Sequence, residues 1–210
     1  MEADPRSVLT RPAPPPDATL AYGPLPDQVA DLRLPAVTGP ARSVAPAGRG
    51  GAPLVLVVHG GFWRSEYDRS HVGPMAADLA ARGWPVAVVE YRRTGTPGGG
   101  WPGTFQDVAE ALARVPDLVA GECAARGVPG PAPGGPVVVG HSAGGHLALW
   151  LAATAPRRLR GVLALAPVAD LAAAHELDLD GGAVAALLGG GPADVPDRYA
   201  AADPAARVRA

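Results

Sequence analysis

The sequence predicts an α/β protein built on a mostly parallel sheet with helices on both faces. Four short apolar runs carry much of this prediction: LVLVV (54–58), PVAVVEY (85–91), PVVVG (136–140) and GVLALAPV (161–168). They do not alternate with polar residues, the pattern of strands buried on both faces. The stretches between them show helical spacing and glycine stops. Strand, helix, strand, repeated in that order, argues for parallel neighbours joined by right-handed crossovers.

Taken in chain order, residues 1 to 18 are Pro-rich and polar and are expected to be disordered or loosely draped, with the domain over 19–210. QVADLRL (28–34) alternates and reads as a strand, and a Gly/Pro/Ala loop runs on to Pro53. SHVGPMAADLAARG (70–83) is expected to be a helix stopped by Gly83, and RRTGTPGGGWPG (92–103) a long flexible loop with the composition of a lid. TFQDVAEALARVPDLVA (104–120) reads as a helix capped by Thr104, and SAGGHLALWLAATA (142–155) as another. Beyond Asp170 the pattern breaks into short Ala- and Leu-rich pieces, with no internal repeat and no domain linker.

Composition narrows the function classes. The 210 residues, 48 % hydrophobic, suit one domain with a sizeable core, and a net charge of −2 gives no reason to expect a nucleic-acid or membrane-surface partner. With 28 Gly, 25 Pro and no Lys, Asn or Ile, the usage fits a GC-rich, bacterial genome. Cys123 is the only cysteine, which rules out an internal disulfide and fits a cytoplasmic setting. MEADPRSVLTRPAPPP has no apolar run of a signal peptide, and no apolar stretch is long enough to span a bilayer. No His/Cys/Asp/Glu grouping has metal-ligand spacing, and TPGGG lacks the Lys and Ser/Thr of a phosphate loop, so neither metal nor cofactor is expected.

The chemistry concentrates at two glycine-rich junctions. Gly140-His141-Ser142-Ala143-Gly144 matches G-x-S-x-G between a strand and a helix. A serine on so sharp a turn needs small neighbours, and the turn lifts its hydroxyl to the sheet's C-terminal edge above a helix N-terminus. A plain helix N-cap is the competing reading for Ser142, but it explains neither the glycines nor the second junction, His59-Gly60-Gly61-Phe62-Trp63, which follows LVLVV directly. Acyl transfer needs N–H donors aimed at a developing oxyanion. Bare backbone at Gly60 and Gly61, with the amide of Ala143, would supply them.

Together HGGFW and GHSAGGHLA resemble the α/β-hydrolase superfamily, in its esterase and kynurenine-formamidase-like branch, with relatives among acetylxylan and feruloyl esterases. The similarity covers roughly residues 20 to 208 and is specific at the two motifs. It implies a serine hydrolase that attacks a small-molecule ester or amide through an acyl-enzyme. Ser142 takes the nucleophile position, and Gly60, Gly61 and Ala143 take the oxyanion-hole positions. The resemblance also implies an acid after a seventh strand and a histidine after an eighth. No histidine follows His175, so the C-terminal strands of that fold are expected to be missing. Asp170 and His175 keep the required order after Ser142, but Asp170 as a cap of the next helix and His175 as a solvated side chain is the favoured reading. Arylformamidase activity, or a catalytically incomplete relative or fragment, are the alternative functions. An uncovered edge at GVLALAPV would be a template for homodimer formation or aggregation.

Among the remaining residues, His59 ends a buried strand and is read as structural, His146 as packing under the turn, and His71 as a solvated helix start. His141 is read equally as filler or as touching substrate. Trp63 and Trp101 fit pocket and core equally well. Arg92 and Arg93 are expected to pair with Glu90 or Asp107 rather than to hold a substrate carboxylate, and Cys123 to be inert packing.

Overall fold

A computed structural model describes Ser7 and residues 9–35 and 51–208. The part of the expected Gly/Pro/Ala loop at 36–50 lies outside the described residues. Six strands, β1 (Ala18–Ala21), β2 (Val29–Arg33), β3 (Val55–Val58), β4 (Val86–Val89), β5 (Val137–His141) and β6 (Gly161–Leu165), form one sheet in the order β1-β2-β4-β3-β5-β6. β4, β3, β5 and β6 run parallel, as expected from the helices between them, whereas β1 and β2 form an antiparallel hairpin that joins β4 antiparallel.

The apolar strands obey the two-residue period of the pleat even in β3 and β4, where every side chain is buried. Leu56, Val58, Ala87, Val89 and Val138 face a core shared with α2 (Gly103–Ala125) and α3 (Ala143–Thr154). Val55, Val57, Val86, Val88 and Val139 face the other side, against α1 (Gly73–Ala81). Helices on both faces are what lets the strands be continuously apolar. In α2 the buried residues Val108, Ala111, Leu112, Val115 and Val119 follow helical spacing.

Several expectations change in detail. α2 begins at Gly103, so Thr104 is not its cap: the Thr104 hydroxyl donates to the Arg92 carbonyl at 2.6 Å and accepts from the Gly100 amide at 3.1 Å. The loop at 92–103 is pinned rather than free, because the Trp101 amide donates to the Leu187 carbonyl at 2.7 Å and a Cβ on Gly99 would overlap the Arg93 backbone. β6 is not a buried strand: it pairs only with β5 among the described residues, and Leu163 and Leu165 are 51 % and 37 % exposed. The chain then turns through four short helices, α4 (Leu171–Glu176), α5 (Ala183–Leu188), α6 (Pro196–Ala202) and α7 (Pro204–Val208). The Trp150 indole N–H, donating to the Ala201 carbonyl at 3.0 Å, helps tie the α6 end to α3.

Candidate active site

The site follows from register. Val58 of β3 stands opposite Gly140 of β5, so the segments leaving both strands emerge side by side at the sheet's C-terminal edge. There the two motifs meet through bare backbone. A Cβ on Gly140 would sit 2.1 Å from the Gly144 carbonyl oxygen, and one on Gly144 would sit 2.1 Å from that of Val58. A Cβ on Gly60 would come within 2.8 Å of the His141 carbonyl oxygen and 3.2 Å of Ser142 Cβ. Glycine is required at these positions by space, which only the packed structure reveals.

Ser142 occupies the corner with φ 54° and ψ −117°, a region that costs a side-chain-bearing residue about 1–3 kcal/mol. Its own backbone is over-determined: its amide donates to the Leu165 carbonyl at 2.9 Å, and its carbonyl accepts from the His146 amide at 3.0 Å. The hydroxyl makes no capping hydrogen bond to α3, so Ser142 is not an ordinary N-cap. Instead the residue opens on a cavity of about 720 Å3, lined also by Gly61, Phe62, Tyr67, His71, His141 and Leu165. The first amides of α3, beginning at Ala143, lack intrahelical partners by construction and stand beside the corner.

The glycine loop of β3 is held from behind. His59 is fully buried, with Nδ1 2.8 Å from the Gly60 carbonyl oxygen and Nε2 2.8 Å from Glu90 Oε1. Because a trans peptide is planar, a Gly60 carbonyl turned toward His59 directs the Gly61 N–H away from it. The Tyr91 ring stacks on His59 with centroids 4.5 Å apart, and its hydroxyl donates to the His59 carbonyl at 2.8 Å. Burial by itself would raise the Glu90 carboxyl. The hydrogen bond and charge of His59, with Arg93 and the Arg69 amide, outweigh it and hold its pKa below the usual range. Sequence reasoning identified His59 as structural but missed Glu90 as its anchor, since the two are brought together only by the β3–β4 pairing.

His146 packs under the corner as expected. It is buried edge-on against Trp63, ring centroids 5.2 Å apart, and its Nε2 donates to the Ala202 carbonyl at 3.0 Å. Burial pushes its pKa down to about 4. Trp63 is core, not cavity wall, and Trp101 packs on Phe105. Arg92 pairs with the fully buried Asp107 at 2.7 Å, and Arg93 with Asp27 at 3.1 Å. Cys123 is buried.

Two placements bear on the rest of a triad. Asp170 caps α4, accepting from the Ala173 amide at 2.9 Å, and His175 lies against Gly191 and Tyr199; neither lines the Ser142 cavity. His71, in contrast, is half-buried and lines it, where the sequence reading had it solvated. Local sequence holds no signal for this, since the cavity is assembled from segments far apart in the chain. Among the described residues no group of three or more His, Cys, Asp or Glu is placed to hold a metal ion, and no helix is long and apolar enough to cross a membrane.

Comparison with known proteins agrees with this architecture. "Probable carboxylic ester hydrolase LipM" of Mycobacterium tuberculosis is 34 % identical over an alignment of 115 residues, with 50 % of this chain and 22 % of that protein covered. The crystal structure of esterase B from Lactobacillus rhamnosis superposes with a TM-score of 0.66 at 23 % identity, over 94 % of this chain and 65 % of that one. A truncated carbohydrate esterase from gut microbiota gives 0.67 at 19 % identity, over 90 % and 70 %. The chain thus spans less than two thirds of the length of LipM and of esterase B. The BD-FAE family model matches residues 44–210, and the chain belongs to that family, with an α/β-hydrolase fold.

Proposed function

We propose that this chain carries the nucleophile and the oxyanion hole of a serine hydrolase of carboxylic esters. The observation that carries the reading is Ser142 at φ 54°, making no capping bond, on a cavity that Gly61 also lines. In this reading Ser142 Oγ attacks the ester carbonyl carbon as its proton passes to a base. The carbonyl oxygen takes the negative charge and is met by the amides of Gly61 and Ala143, with Gly60 leaving room for it. Collapse expels the alcohol, and water then releases the acid from the acyl-enzyme. The family and the ester-hydrolase relatives support this chemistry at the level of reaction class. We assign the acid and the base to the portion of the relatives that this chain does not span, because Asp170 and His175 are turned to other partners.

Labelling with a fluorophosphonate, read by intact mass and peptide mapping, tests the reading. The expected result is a single adduct on Ser142, formed slowly for want of the base and absent from Ser142→Ala. An adduct that persists in Ser142→Ala, or none on the unaltered chain even at high reagent, would remove Ser142 from the mechanism and favour a non-catalytic relative.

A further inference from the structure

Arg33 closes β2 and is only 8 % exposed. Alternation along β2 sends Ala30 and Leu32 into the core shared with α2 and α3, so Asp31 and Arg33 lie on the opposite, α1 face. There Arg33 Nη1 donates to the Pro15 carbonyl at 3.2 Å, and among the described residues the guanidinium has no other hydrogen bond and no carboxylate partner. Its neighbour Arg69 shows what is missing, because Arg69 grips the two oxygens of Asp31 with Nε at 2.8 Å and Nη2 at 3.2 Å. The same Nε and Nη2 edge of Arg33 is not sealed in the protein but opens on a cavity of about 380 Å3. A guanidinium does not shed its charge to escape burial, so one buried without a counter-charge is costly.

Three walls enclose this cavity: residues 9–16, the sheet at Asp31, Arg33 and Val88, and the turn at 69–73. Asp31 is spent, its Oδ1 accepting also from the Thr19 hydroxyl at 2.7 Å, and the Ser70 hydroxyl donates to Asp68. Arg11 lines the cavity as well and is exposed, adding positive charge. Much of the remaining wall is Leu9, Val88 and prolines, which carry no N–H. Gly61, His141 and Ser142 do not line it, although Leu9 and Arg11 border both cavities.

We propose that this second cavity binds a monocarboxylate with an apolar body, its two oxygens taken by the Nε and Nη2 edge of Arg33. Two parallel N–H donors match the two oxygens of a carboxylate. One uncompensated buried charge calls for one negative charge, and the Asp31 carboxylate close by disfavours a dianion such as phosphate. The prolines and Val88 suit the apolar body. The site is independent of the ester-hydrolase reading.

Benzoate, its uncharged isostere benzamide, and inorganic phosphate are titrated at constant ionic strength into the 15N-labelled full chain, with the Arg33 Nε–H resonance followed. Benzoate is expected to move that resonance saturably and to bind about tenfold or more tighter than either comparator, the worth of one charge-assisted contact. This comparison needs no variant. Arg33→Met, which keeps the stem and removes the charge, should erase the preference for benzoate over benzamide. Arg33→Lys, which keeps the charge without the fork, should weaken benzoate binding about tenfold. Ser142→Ala should leave the shift and the affinity as they are. A still Arg33 resonance, equal affinity for benzamide, tighter binding of phosphate, or a preference that survives Arg33→Met would overturn the proposal. So would loss of the shift in Ser142→Ala, which would put the ligand in the other cavity.

Discussion

β5 and β6 are adjacent parallel strands of five residues each, yet they live in different surroundings. β5 has β3 on its other side and helices on both faces, and Val138, Val139 and Gly140 are buried. β6 has no second neighbour among the described residues, and Leu163 faces outward, half exposed. Both strands end in strained residues, Ser142 at φ 54° just after β5 and Ala166 at φ 43° just after β6. At the first, the backbone is locked on all sides by glycine contacts too close for a methyl group. The lesson is that the part of the site made of backbone needs only the covered strands. The part that would need side chains, an acid and a base, is not found beside Ser142 among Asp170 and His175. Substitutions should therefore cost most around the ends of β3 and β5 and least along β6.

The largest effect is expected at Gly144. Its Cβ position lies 2.1 Å from the Val58 carbonyl oxygen and 2.5 Å from that of His59, backbone that cannot swing aside. Gly144→Val should cost more than about 4 kcal/mol and leave little folded protein, as read by urea denaturation. Recovery of a cooperative, near-native transition would break the comparison at its strongest point. Next comes Glu90→Leu. It strips His59 of its carboxylate partner and removes one from Arg93, leaving buried polar groups behind, at about 3 kcal/mol. The hydrogen bond from Tyr91 to the His59 carbonyl remains in that variant, so Tyr91→Phe alone should cost only about 1 kcal/mol.

His146 gives the covered region a pH signature of similar size. Burial holds its folded pKa near 4, against about 6.5 when unfolded. Between those values the unfolded chain binds a proton that the folded chain does not, so stability falls as pH drops from 7 toward 4. The loss attributable to this one imidazole is about 3 kcal/mol by pH 4, and nothing above pH 7. Urea denaturation of the unaltered chain and of His146→Leu at pH 7 and pH 4 isolates it from the carboxylates that titrate alongside. The gap between the two proteins should move in favour of the leucine variant as pH falls, and a constant gap would show that the ring is not desolvated.

The covered strands were also the legible ones. Non-alternating valines announce a strand with helices on both faces, and the two glycine motifs announce their own backbone demands, so β3, β4, β5 and the corner at Ser142 could be read residue by residue. ATLA, four residues behind a run of prolines, carried no such signal, and β1 forms only because β2 offers it an edge. GVLALAPV reads as buried since its composition matches the other strands, and Leu163 is exposed because β6 has no second neighbour among the described residues. His71 was illegible for a further reason. A cavity wall drawn from Leu9, Phe62, Met75 and Leu165 is a property of tertiary packing, and the residue's own neighbours in sequence describe nothing but a polar helix start.

At the small end of the scale stands Leu163→Arg. The side chain is already half exposed on the outer strand, so the change should alter the stability of a single copy by no more than about 0.5 kcal/mol. Its use lies in association. A strand with no second neighbour among the described residues and with exposed Leu163 and Leu165 is a template for another strand, and we propose that two copies of this chain pair there. A charge at the centre of that seam would be buried against its own symmetry mate, which opposes pairing far more than it opposes folding. Sedimentation velocity should show the unaltered chain shifting toward a dimer as concentration rises and Leu163→Arg staying monomeric over the same range. If both sediment alike while Gly144→Val and Glu90→Leu behave as expected, the uncovered strand is inert in solution, and the contrast between β5 and β6 is one of packing alone.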